Sequence, residues 1–354
     1  MHEALRVGEP FRLAKSLASG AFYESLKGIP EYSRGRQLAD SASALALRLN
    51  DPYLSASVHL AGVSMNYNCG RIVEGLTHMR LLDEVVKKHN IRLTAWERGI
   101  TNQLRTWLLG FGGRIRELSE MLPATLEEAR SRGDVYSDVA TRFFTTAHLV
   151  ELAADNPEKA LSETASAIVK WRKTRYDVQH FGATFASLEA HLYAGRSEQA
   201  RALIRADWIS IRRSLLFRKS HVLRFTLFYA AGRASLGEWL RCPEIQQLRV
   251  ETEKFARKLR KLQSPWGHAF SLALQAGIAA GLNHHSESLL LLERAEEILR
   301  AQDLRLLAAA VLRRRGELEG DAGSERVKQA DAFMRSEGIL CPERMTSMIL
   351  PGAW

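Results

Sequence analysis

The stretch Ala183–Leu215, ATFASLEAHLYAGRSEQARALIRADWISIRRSL, decides the fold class. Its first part, Ala183 to Ala194, is rich in small and aromatic residues, and Gly195 with Arg196 then marks a turn. From Glu198 onward, Leu203, Ile204, Trp208, Ile211 and Leu215 recur at steps of three and four residues, which is one face of an α-helix. The other face carries Arg201, Arg205, Arg212 and Arg213. One such helix pair cannot bury its apolar stripe alone, so stacking on further pairs is expected.

Working outward, the same punctuation recurs at Cys69-Gly70-Arg71, Gly112-Gly113-Arg114, Asp155-Asn156-Pro157, Leu282-Asn283-His284 and Gly320-Asp321-Ala322. The gaps are roughly 40 residues, with one double gap, from Gly195 to Asn283, that a weaker turn at Gly237–Pro243 divides. Small residues stand where paired helices must approach closely, at Ala183 and Ala186, Ala276 and Ala279, and Ala308–Ala310. No segment sustains the alternation of a strand. These features predict an all-α solenoid of roughly seven antiparallel helix pairs in a single domain, 1–354. Residues 1–50 read as an irregular N-terminal cap, 51–337 as the repeats and 338–354 as a non-helical C-terminal tail.

No apolar run approaches the roughly 20 residues of a membrane-spanning helix, so no membrane partner is expected. The N-terminus intersperses Glu3, Arg6, Glu9, Arg12 and Lys15 among apolar residues, which leaves no signal-peptide core. Cys69, Cys242 and Cys341 are too sparse for a disulfide framework, and a cytoplasmic location is the expectation.

The formal net charge is +10, and Arg201–Lys261, with fifteen Lys or Arg against five acidic residues, holds an excess as large as that of the whole chain. On the helix expected over Glu251–Leu262, Lys254, Arg257, Lys258 and Lys261 share one face, while Leu248, Phe255, Leu259 and Leu262 share the other. Arg212, Arg213, Arg218 and Lys219 extend this stripe from the preceding pair. Such a stripe grips an acidic protein or phosphates; a plain solvated face is the competing reading. Lacking interleaved exposed aromatics, it offers nucleic acid only non-specific affinity.

Other clusters read as structure. Arg313, Arg314 and Arg315 point in different directions on a helix and are expected to be solvated. His284 and His285 with Glu287, and His148 with Glu151, are too few for a metal site. Gly110-Phe111-Gly112-Gly113 lacks the Lys-Ser/Thr of a phosphate loop and reads as a helix-to-helix turn. The tryptophans are expected mostly in the core. No catalytic residue, metal ligand or cofactor site is predicted.

Asn50-Asp51-Pro52-Tyr53, Gly70-Arg71, Trp96-Glu97, Arg132-Gly133-Asp134, Ala154-Asp155-Asn156-Pro157, Lys170-Trp171 and Leu192-Tyr193-Ala194-Gly195 occur in this order. With Met334-Arg335-Ser336-Glu337-Gly338-Ile339, Pro342-Glu343-Arg344-Met345 and Leu350-Pro351-Gly352, the chain from about Asp51 onward resembles the tetratricopeptide-like C-terminal region of large bacterial eukaryotic-type serine/threonine protein kinases. The resemblance implies a right-handed superhelical, tetratricopeptide-like solenoid used for sensing or docking. The phosphate loop, His-Arg-Asp and Asp-Phe-Gly segments of phosphoryl transfer are absent from the sequence, so no kinase activity carries over. The expected function is a non-catalytic scaffold or sensor in bacterial signal transduction that binds a protein or peptide, including an acidic one. A basic nucleic-acid-binding protein using residues 201–261 is the alternative.

Overall fold

A computed structural model describes residues 6, 8–29, 32–171, 175–214, 217, 219–352 and 354. These residues form helices and no strand, and the helices pack in adjacent pairs, the arrangement of a helical-repeat protein. By their contacts they fall into two compact units, 1–108 with 219–222, and 109–218 with 223–354, a division that the reading as one continuous domain did not anticipate.

The first unit holds α1 (Pro10–Ser25), α2 (Tyr32–Leu49), α3 (Pro52–Asn68), α4 (Ile72–Lys88) and the start of α5 (Ala95–Gly112). Where an irregular cap is expected from the sequence, α1 and α2 are regular helices packed on each other. The reason is local: Glu9 caps the N–H groups of Phe11 and Arg12, and Pro10 sits in the first turn. Asn50 then ends α2 with a positive φ of 49°, and Asp51 caps α3 through the Leu54 N–H at 3.0 Å. Lys15 of α1 pairs with Glu97 of α5 beside the Tyr53 hydroxyl of α3, which ties three helices together.

The second unit takes in α6 (Ile115–Ser131), α7 (Val135–Ala140), α8 (Ala147–Ala153), α9 (Pro157–Lys170), α10 (Val178–Tyr193), α11 (Ser197–Arg213), nearly all of α12 (His221–Trp239), α13 (Gln246–Arg260), α14 (Pro265–Gly281), α15 (His285–Ala301), α16 (Arg305–Leu318), α17 (Ser324–Ser336) and α18 (Pro342–Ile349). Two kinds of helix alternate. α10, α14 and α16 are buried on nearly every side, whereas α11, α13 and α15 bury a single stripe, such as Ala200, Ile204 and Ile211 of α11. A helix apolar all round must lie inside, and an amphipathic one covers it.

The repeated turns share one hydrogen-bond pattern. Gly195, at φ +73°, donates its N–H to Leu192 O at 3.0 Å, and Arg196 donates to His191 O at 2.8 Å. Asn283 and His284 repeat the pattern on Ala280 O and Ala279 O. The left-handed residue lets two terminal carbonyls be satisfied at once, which stops the helix and reverses the chain.

Between α7 and α8 the helical run breaks at 141–146. The Thr145 carbonyl there approaches α5 so closely that a Cβ on Gly110 would lie 1.8 Å from it. The C-terminal segment departs furthest from the sequence expectation. Residues 338–354 contain the helix α18, and Met345, Met348, Ile349 and Leu350 are buried. Polar residues such as Glu343, Arg344 and Thr346 hide the apolar spacing that drives this burial.

Candidate functional site

The last turn of any helix leaves carbonyls without intrahelical partners. At the end of α18, three successive ones are met by side chains: Arg233 Nη1 donates to Met348 O at 3.0 Å, Tyr229 Oη to Ile349 O at 3.1 Å, and Arg314 Nε to Leu350 O at 3.0 Å. Arg314 Nη2 also donates to Ser347 Oγ at 3.1 Å. Two guanidinium groups thus stand at the negative end of the helix dipole. The other end of the segment is pinned by Leu340 N–H on Ala153 O at 2.8 Å and by Arg344 on Asp155 at 3.0 Å. α18 packs on α10 and α16, and with the cations above they form the receptor, in a purely structural sense, for this short helix of the same chain.

The receptor is organised by an ion pair in the core. Arg233 is fully buried; its Nη2 lies 2.8 Å from Glu189 Oε1, and its guanidinium lies 3.8 Å from the Tyr229 ring centre. The second Glu189 oxygen hydrogen-bonds His148 Nε2 at 2.9 Å. Burial by itself would raise the Glu189 carboxyl, but the charge of Arg233 and the contact with His148 outweigh it and hold the group below the ordinary carboxylate value. His148 therefore works with Glu189 of α10, 41 positions away, while Glu151 pairs with Lys159.

Arg313, Arg314 and Arg315, expected to be solvated, are drawn inward by carboxylates. Arg313 and Arg314 are buried. Arg313 meets Asp331 at 2.8 Å and also Glu317, Arg314 meets Glu317 at 2.6 Å, and Arg315 meets Glu296 at 2.7 Å and Glu293 at 3.0 Å. A triplet that points in three directions thus reaches four carboxylates, with Glu317 shared by Arg313 and Arg314.

The predicted basic stripe is only partly assembled. Arg212 of α11 and Lys254 and Lys258 of α13 wall a cavity of about 510 Å³ together with Arg224, Trp208 and Phe228. The Lys258 ammonium lies 4.9 Å from the Phe228 ring centre, 5.4 Å from Trp208 and 5.3 Å from Phe255, within cation–π range. Burial, then the neighbouring charges of Lys254 and Arg212, push the Lys258 ammonium below its ordinary value. A second cavity of about 380 Å³ shares Trp208 and Lys254 and adds Ile204, Ile209, Ala231 and Phe255.

Arg213, Arg257 and Lys261 are exposed and do not line either cavity. Lys219 is exposed and belongs to the first unit, and Arg218 lies outside the described residues. Half-buried aromatics stand among these cations: Trp208 precedes Arg212, and Arg224 precedes Phe228, each by one helical turn. That spacing was the sequence signal for Arg224, which the reading by helix face alone missed.

Elsewhere, burial pushes the Cys69 thiol up to about 12. His284 lies 3.6 Å from Glu287 at the exposed start of α15. Among the described residues no group of three or more His, Cys, Asp or Glu could hold a metal ion, and no helix is long and apolar enough to cross a membrane. No family model and no curated protein matches the chain.

Proposed function

We propose that the chain is a non-catalytic docking scaffold that binds protein segments on its helix pairs. The observation that supports this reading is the α18 receptor, in which Arg233, Tyr229 and Arg314 take successive main-chain carbonyls of a short helix. Recognition by main-chain groups and apolar side chains is how helical grooves bind peptides. The unpaired cations beside Trp208 favour an acidic partner at the surface. The resemblance to the helical region of bacterial serine/threonine kinases supports a place in signal transduction and a right-handed superhelix, and the three sparse cysteines fit a cytoplasmic setting.

The test asks whether the receptor is a peptide site or ordinary core. A protease site is placed at the exposed Leu340, the folded chain is cut, and exchange of a labelled Cys341–Trp354 peptide is followed by fluorescence anisotropy. Reversible exchange that weakens about tenfold or more with Arg314→Gln supports the docking reading. Collapse of the helical signal on release of the segment, with no rebinding, would falsify it.

A further inference from the structure

We propose that the cavity walled by Arg212, Arg224, Lys254 and Lys258 receives a phosphorylated side chain of the partner segment, an inference that rests on the docking reading above. Among the described residues none of these four cations is paired with a carboxylate. The adjoining cavity shows what a satisfied cation looks like: Arg201 there is held by Glu251 at 3.0 Å and Glu238 at 3.4 Å. Nε of Arg224 is buried without a hydrogen-bond partner. Like charges gathered against aromatic walls repel one another, and the Lys258 ammonium is depressed first by burial and then by the charges of Lys254 and Arg212. An anion entering the cavity relieves it.

The number of donors selects the anion. A carboxylate brings one charge and two oxygens, whereas a phosphate monoester brings a charge of about −1.5 to −2 and three strong acceptor oxygens, a closer match to two guanidinium and two ammonium groups. The shape selects what carries it. The cationic cavity opens beside the one lined by Ile204, Ile209 and Phe255, with Trp208 and Lys254 common to both. A peptide laid across both would set one side chain against Ile204, Ile209 and Phe255, beside the Arg201–Glu251 pair, and a phosphorylated neighbour among the four cations.

The full chain is titrated with degenerate peptide pools centred on phosphoserine, phosphothreonine or phosphotyrosine, with matched pools centred on Ser, Thr, Tyr or Glu, and with a single-stranded oligonucleotide. At least one phosphorylated pool is expected to bind about tenfold or more tightly than its unphosphorylated and Glu counterparts. Lys254→Ala, at an exposed position, and Arg224→Gln are each expected to weaken that binding about tenfold, whereas Arg257→Ala, outside the cavity, leaves it unchanged. Equal binding of the Glu pool overturns the phosphate assignment and leaves the docking reading standing. Binding of no pool, or tighter binding of the oligonucleotide, overturns the inference, and the exchange experiment on α18 then decides the docking reading separately.

Discussion

The second unit contains two collections of positive charge that look alike in sequence and are opposites in space. Arg313–Arg315 on α16, with Arg233 on α12, are buried or nearly so, and carboxylates or carbonyls meet each of them. Arg212, Arg224, Lys254 and Lys258 are partly or wholly exposed, set among rings, and have no carboxylate partner among the described residues. Removing a buried cation strands its partner, while removing an uncompensated one relieves repulsion. The first set therefore holds the fold, and the second is the set proposed above to meet a ligand.

The contrast is broken most forcefully at Arg233. Arg233→Met leaves the Glu189 carboxylate buried without its cation and frees the Met348 carbonyl, and is expected to destabilise the unit by about 3–5 kcal/mol, read from chemical denaturation. Combining it with Glu189→Gln should restore part of the loss; a double variant that is simply additive would mean the two groups do not interact.

Next in size is Arg314→Gln, which removes charged hydrogen bonds to Leu350 and Ser347 together with the pairing to Glu317, at an expected cost of about 1.5–3 kcal/mol, with faster amide exchange over α18 than elsewhere in the unit.

A third measurement uses pH. The carboxyl of Glu189 is held below its ordinary value of 4.5, so its contribution is complete above that value and is lost as pH falls through the lowered one. Denaturation midpoints of the wild type should fall more steeply with acid than those of Glu189→Gln, and parallel slopes would contradict the ion pair.

The smallest effect is expected at the other set. Lys254→Ala and Lys258→Met should change stability by no more than about 0.5 kcal/mol, Lys258→Met toward greater stability because it removes a half-buried charge that Lys254 and Arg212 oppose. A loss of several kcal/mol at Lys258 would move it to the structural set.

The helical plan was readable because it depends on local signals. The stripe of Leu203, Ile204, Trp208 and Ile211 and the turn at Gly195 are set by neighbours within a few residues, and α10 and α11 form around that turn. The sites were less readable because they depend on distant partners. His148 finds Glu189 rather than Glu151, and Arg314 finds Leu350, 36 positions away. The four-lysine-and-arginine face of α13 was legible as a face, but only packing decides that Lys254 and Lys258 meet Arg212, Arg224 and Trp208 while Arg257 and Lys261 do not. α18 escaped notice because its apolar residues, Met345, Met348 and Ile349, are too few to show a period.

The place of α18 also governs the order of assembly. Residues 340–350 are synthesised after every helix they touch, and the pair Arg344–Asp155 spans 189 positions of chain. The contacts that α8, α10, α12 and α16 make with this segment therefore form only after it has been synthesised. Closing so long a loop is slow compared with forming each hairpin of helices. The second unit should thus pass through a state with its helices formed and its interior open, and commit to its final packing in a late, separate step.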